Sequence, residues 1–294
     1  MISGERLGHL DQVALATERP AVDAHVLAGI ELRIHPHRGL DLGAAWFRGV
    51  PIAWIAPAGE GGADSTDWRA AWGGGLLTTC GLDNVGAPSE GIGLHGTYTF
   101  LPAHDVATER SRSQVVVRGI VDDPRGLRIQ RTIRSRVGEG RVEVTDRTTN
   151  VSERPLEAPL LYHVNLGWPL WDTGSQVETD AAEVRPRDDD AAPHDWSIAP
   201  PEPVQLPERV WEHVGATHAA VVSQRLGLRV AIESELPRLW QWIDPGPGIY
   251  VLGIEPANCS VLGRAHDRSQ GTLPSLEPGE ERSTRIAITT EEMV

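Results

Sequence analysis

The stretch Ala158-Pro159-Leu160-Leu161-Tyr162-His163-Val164-Asn165-Leu166-Gly167-Trp168-Pro169 reads as a buried strand that carries a histidine and an asparagine and stops at Gly and Pro. His163 and Asn165, two positions apart, share one face of such a strand. Working outward, the same strand grammar recurs. Val26–Ile34 reads as a first strand ending at His35-Pro36-His37-Arg38-Gly39, and Leu40–Trp46 and Val50–Ile55 follow across an Arg48-Gly49 turn. Gln114–Arg118 and Leu127–Ile133 predict a hairpin through Asp122-Asp123-Pro124-Arg125-Gly126, a strong turn signal. Arg141–Thr148, the period-2 run Leu226, Leu228, Val230, Ile232, the apolar Ile249–Ile254 and the closing Arg282–Thr289 complete the set. Helical periodicity is confined to Ser65–Trp72, where Ser65, Thr66 and Asp67 can cap. Gly59–Asp64 and the Pro- and Asp-rich Glu183–Glu208 read as loops, with Asp188-Asp189-Asp190 a solvated face. No repeat or linker interrupts the pattern. The expectation is an all-β chain, one large antiparallel β-sandwich domain over residues 1–294.

Composition narrows the partners. The 294 residues carry a formal charge of −14, and all 27 basic residues are arginine. An acidic chain without basic clusters is poorly suited to a nucleic-acid backbone or to an anionic membrane surface. No apolar run approaches the ~20 residues of a membrane span. The first twenty residues contain early acids and no apolar core, unlike a signal peptide. Two cysteines, Cys80 and Cys259, make no disulfide framework and read as buried thiols. These features predict a soluble cytoplasmic protein that takes a small molecule; nothing in them fixes the oligomeric state.

Four places hold polar residues that packing explains poorly. Gly91-Ile92-Gly93-Leu94-His95-Gly96 flanks His95 with glycines, which lets backbone approach a ligand; the plainer alternative is a turn whose His bonds a carbonyl. A lone histidine in an apolar strand is usually a satisfied core residue. Yet Asn165 shares the face of His163, and Trp168 and Trp171 follow, which offers a sugar both hydrogen bonds and an aromatic platform. Glu255 ends an apolar run before Pro256, which places it at a sheet rim, where a carboxylate either pairs with an arginine or does chemistry. Trp242 and Asp244 lie just before it. In His35-Pro36-His37-Arg38-Gly39-Leu40-Asp41, the His-x-His spacing is that of metal ligands and resembles the first motif of cupins, pirin in particular. A cupin needs a Glu soon after and a further nearby His. Asp41 and His95 do not supply them, so Arg38 and Asp41 are the better candidates for sugar hydroxyls and no metal is expected.

Taken in order, Leu94-His95-Gly96, Tyr162-His163-Val164-Asn165-Leu166-Gly167 and Gly253-Ile254-Glu255-Pro256-Ala257-Asn258 resemble the aldose 1-epimerase (galactose mutarotase-like) superfamily, in a divergent branch. The resemblance implies a β-supersandwich, no cofactor, Glu255 as general base, His163 as general acid and His95 as the second histidine of the site. Arg38, Asp41, Asn84, Asn165, Trp242, Asp244 and Asn258 are the candidate substrate-binding residues. The segments Thr78–Asn84 and Arg38–Asp41 depart from the usual pattern, which leaves the sugar open. The chemistry suits the residue types: anomer exchange needs a base for the C1 hydroxyl and an acid for the ring oxygen, help worth about 10²–10⁴-fold. Two other readings compete. One is a carbohydrate-binding protein without catalysis. The other is a metal-dependent cupin-like isomerase using His35 and His37. A glycosidase would need opposed carboxylates, for which Asp244 and Glu255 are the nominees.

Overall fold

The computed structural model describes residues 8–14, 20–63, 65, 67–201, 203 and 205–293. Two large antiparallel sheets face each other. The first runs, edge to edge, through Gly8–Ala14, Pro20–Val26, Ile30–His35, Asp41–Phe47, Leu77–Gly81, Leu160–Leu166, Val251–Ala257, Arg238–Asp244, Arg209–Val214 and Glu183–Pro186, with Val50–Pro51 attached beside Asp41–Phe47. The second runs through Gln176–Thr179, His218–Ser223, Leu228–Ser234, Glu281–Glu292, Arg141–Asn150, Leu127–Arg136, Gln114–Asp123 and Ala103–Arg110. This is the expected sandwich. One hydrophobic cluster joins the sheets, with Leu42, Leu77, Tyr162 and Ile254 meeting Val117, Ile129, Val144 and Ile286. Residues that alternate with these along the inner strands, Leu161 and Val251 among them, enter a second cluster on the far face of the first sheet, with Trp54, Trp68, Trp72 and Trp240. The central strands Leu160–Leu166 and Val251–Ala257 are therefore covered on both faces and buried throughout. That double burial is why they read as largely apolar runs in which His163, Asn165 and Glu255 stand out.

The turn after Asp122 forms as expected: Gly126 donates to the Asp123 carbonyl at 2.9 Å with φ +111, and the Asp123 carboxylate accepts from the Arg125 backbone N–H. Several strand and loop expectations are corrected, among them Glu183–Pro186, read as loop but paired as a strand with Arg209–Val214, and Val50–Ile55, of which only Val50–Pro51 is strand. The run Val26–Ile34 is two strands, because Ala28 takes a left-handed φ of 56 and Gly29 closes a turn on Val26. Pro256 does not stop its strand, which continues to Ala257. The missing N–H is absorbed by a gap in the ladder toward Leu160–Leu166, which pairs Val164 with Ile254 and Leu161 with Ala257 but nothing between. A helix over Arg264–Gln270 also forms, capped by Gly271 at φ +68, where the sequence gives little period to read. In the predicted helical stretch only Trp68–Ala71 is helical, capped by Asp67, whose carboxylate accepts from Arg69 N–H at 3.0 Å. Thr66, Asp64 and most of the first twenty residues lie outside the described residues. Cys80 and Cys259 are free and buried. Among the described residues no helix is long and apolar enough to cross a membrane.

Candidate active site

The second cluster is hollow. A cavity of about 660 Å³ opens on the outer face of the first sheet, and His95, His163, Trp242, Asp244 and Glu255 line it. Its floor follows from strand register. Continuing the ladder from Val164 opposite Ile254 puts His163 opposite Glu255, and cross-strand neighbours on one face touch. His163 Nε2 lies 3.1 Å from Glu255 Oε1, with both side chains almost wholly buried. The contact is close but not aligned as a hydrogen bond, and neither Glu255 Oε1 nor His163 Nδ1 has a protein hydrogen-bond partner. Gly253 makes the room. A Cβ there would sit 2.7 Å from Glu255 Oε1 and 2.8 Å from His163 Cε1.

Burial sets the protonation of this pair. It drives the Glu255 carboxyl up to about 8, with the nearby Glu208 charge adding to the rise. It drives His163 down to about 3, reinforced by His95 and opposed by Asn165. Removal from water thus drives both groups toward their neutral forms, the imidazole unprotonated and the carboxyl protonated. His95 is less enclosed by area, yet burial and the Arg69 charge also bring it down to about 3. Its ring is edge-on to His163, with centroids 5.6 Å apart, and lies 4.8 Å from Trp68. The loop that presents it bends back on the strand Leu77–Gly81: the His95 carbonyl accepts from Gly81 N–H and its N–H donates to the Gly86 carbonyl, with φ of 55 at His95.

Indoles wall the space above the floor. Trp72 stands 5.2 Å from the His163 ring and 5.0 Å from Trp54, and Trp242 stands 5.3 Å from His163. At the mouth, Glu208 accepts from Trp242 Nε1 at 3.0 Å and pairs with Arg69 at 2.9 Å and Arg187 at 3.4 Å. Burial alone would raise the Glu208 carboxyl, but the indole and the two arginines together hold it below its ordinary value.

Five candidate substrate-binding residues are not among the lining residues, because the fold uses their polar atoms elsewhere. Arg38 donates to the carbonyls of Gly61 and Ala71. Asp41 accepts from Thr79, Thr99 and Arg131 in the sandwich interior. Asn84 donates to the Ala87 and Gly93 carbonyls and accepts from Arg264 N–H, which shapes the His95 loop. Asn165 shares the His163 face as expected, but its amide donates to the carbonyls of Gly75 and His163. Asn258 staples Ala158 and Leu160. The tryptophans after the His163 strand are also elsewhere: Trp168 is 68% exposed and Trp171 is fully buried in the core. Of the two histidines with metal-ligand spacing, His35 binds Glu60 at 2.9 Å, and that carboxylate also holds Arg33 and the Ala44 N–H. Among the described residues no group of three or more His, Cys, Asp or Glu is placed to hold a metal.

Sequence reasoning misses Glu208, Arg69, Arg187, Trp54, Trp68 and Trp72. The i, i+4 spacing of Trp68 and Trp72 in a predicted helix was a usable signal. Glu208 and Arg187 sit in the stretch read as a loop and carry none.

The family model described as "Domain of unknown function (DUF4432)" matches residues 19–290. No curated protein matches the chain. Among solved structures, a Klebsiella pneumoniae protein named as a candidate aldose 1-epimerase is similar at 21% identity with a TM-score of 0.87, over 97% of this chain and 84% of that one. A galactose mutarotase-like protein from Clostridium acetobutylicum is similar at 15% identity and 0.66, over 97% and 99%. Another from Lactobacillus casei is similar at 12% and 0.60, over 96% and 100%. At these identities the likeness is one of fold, and the chain, built as a galactose mutarotase-like sandwich, belongs to the DUF4432 family.

Proposed function

We propose that the protein is an aldose 1-epimerase, a mutarotase that interconverts the anomers of a small sugar at the His163–Glu255 pair. The observation that carries the reading is the 3.1 Å approach of an imidazole and a carboxyl group at the floor of an indole-walled cavity. Ring opening removes the proton of the C1 hydroxyl and delivers a proton to the ring oxygen as the C1–O5 bond breaks. The aldehyde turns about C1–C2, and ring closure reverses both transfers. Each group thus serves once as acid and once as base, and the requirement is a pair that holds one proton between two sites. His163 neutral with Glu255 protonated meets that requirement at neutral pH. The assignment implied by the family resemblance, with Glu255 as base and His163 as acid, is the same pair with its proton on the imidazole. His95, whose ring lies edge-on to His163, is assigned a hydrogen bond with the oxygen at C1 or in the ring. Trp242 gives the sugar's C–H face a platform, and Asp244, also on the cavity wall, offers a carboxylate.

The reading is tested by anomer exchange measured by NMR on free aldoses. Glu255→Gln and His163→Ala are each expected to lower the rate by at least about 10²-fold, the usual worth of one acid–base group. Retention of wild-type rates in both variants on a sugar the enzyme turns over would sink the assignment.

A further inference from the structure

The wall of this cavity is unusual for a site that must recognise hydroxyl groups. Three of its four indole N–H donors are already committed within the protein: Trp54 to the Ile249 carbonyl at 2.8 Å, Trp72 to Thr78 Oγ1 at 2.9 Å and Trp242 to Glu208 at 3.0 Å. These three leave no free indole donor, and the fourth, Trp68 Nε1, is buried without a partner and is the one indole N–H of this wall left for a ligand oxygen. Small apolar residues such as Ala56, Pro57, Ala87 and Pro88 fill much of the remaining wall. Of the charged groups above the floor, Glu208 has both oxygens taken by Trp242, Arg69 and Arg187, whereas Asp244 accepts from Gly246 N–H and is not tied to an arginine, so among the described residues it remains the one carboxylate there for a hydroxyl. The asparagines and Arg38, which could have met sugar hydroxyls, are turned into the fold.

From this chemistry, and resting on the mutarotase reading above, we infer that the substrate is a reducing aldose with an apolar periphery, one in which ring or side-arm hydroxyls are missing or capped, such as a deoxy or O-methyl sugar. A hydroxyl set against an indole or an alanine methyl gives up its water and gains no partner, which penalises it. A methyl group in the same position gains from burial. The floor still demands a free anomeric hydroxyl, so the selectivity falls on the remainder of the sugar. Discrimination by one methyl-sized group in an apolar pocket amounts to about 10–200-fold.

The test is a matched panel on the intact chain: D-glucose, D-galactose, their 6-deoxy forms and 3-O-methyl-D-glucose. NMR exchange reads kcat/KM, and calorimetric titration of the same sugars reads Kd. The expected result is a preference of about tenfold or more for at least one deoxy or methylated sugar over its parent in kcat/KM and Kd. Parent hexoses equal to or better than their derivatives would overturn the inference and leave the mutarotase reading standing. Acceleration of no sugar, with the derivatives still bound about tenfold more tightly, would overturn the mutarotase reading and retain the selectivity. Binding of none of them would overturn the inference.

Discussion

At the scale of single residues, the site is governed by what burial does to two titratable groups. Glu255 is raised from 4.5 to about 8, and His163 is lowered from 6.5 to about 3. Glu255 is protonated below its value and His163 is neutral above its own, so the pair holds one proton between about pH 3 and pH 8. With ordinary values the one-proton state would be confined between 4.5 and 6.5. The expected kcat/KM profile is therefore level through pH 7 and falls as pH passes about 8. A decline that begins near pH 6.5, the unshifted His163 value, would contradict this protonation scheme. Gly253 supplies a second check. Its Cβ would intrude on both members of the pair, so Gly253→Ala is expected to reduce kcat by about tenfold or more. The far-UV spectrum of that variant is expected to remain that of the wild type.

At the scale of elements, the loop from Asp83 to Thr97, like the segments that carry Trp68 and Glu208, brings its side chains to the cavity from outside the named strands. Its shape comes from polar side chains inside it. Asp83 accepts from Asn84 N–H, Thr97 N–H and Thr97 Oγ1, and Asn84 ties Ala87 and Gly93 to the start of the helix Arg264–Gln270. Arg264 and Arg268 of that helix in turn hold Glu90 on the loop. Asn84 is fully buried, so Asn84→Ala leaves the Ala87 carbonyl and the Arg264 N–H without partners and the Gly93 carbonyl with Gly96 N–H alone, a cost of about 1–3 kcal/mol for each stranded group. The expected outcome is faster amide hydrogen exchange over residues 85–96 and a lower kcat, with exchange in the strand Leu160–Leu166 unchanged. Uniform exchange changes across both segments would show that the loop is not an independent unit.

For the whole molecule, one buried arginine joins the two sheets beneath the site. Arg131, from the second sheet, pairs with Asp146 at 2.7 Å beside it and with Asp41 at 2.9 Å in the first sheet, and also donates to Thr79 Oγ1. Asp146 in turn accepts from Tyr162, the neighbour of His163. Arg131→Ala strands two buried carboxylates and is expected to cost about 3–5 kcal/mol, read as a lower urea midpoint. Arg147→Ala, which breaks the exposed pair with Glu281, is expected to cost at most about 1 kcal/mol. Equal losses in the two variants would refute the special role of the buried network.

What the sequence determined by itself is the all-β architecture and the identity of the floor residues. Period-2 runs, turn dipeptides and double-sided burial are local signals, and His163 and Glu255 stand out because they are polar residues inside apolar strands. What only the tertiary structure decided is where each polar side chain is spent. Asn84, Asn165, Asn258, Asp41 and Arg38 look like ligands in sequence, but their partners are backbone or side-chain groups that the fold brings to them, in most cases from far along the chain. Pro256 reads as a strand end because its missing donor is visible locally, whereas the ladder gap that tolerates it belongs to the neighbouring strand. Glu208 enters the cavity from a loop without pattern, and the tryptophan wall assembles from segments as distant as Trp54 and Trp242. Strand grammar is written in neighbours a few residues apart, while a cavity is enclosed by residues that meet only when the sheets have closed.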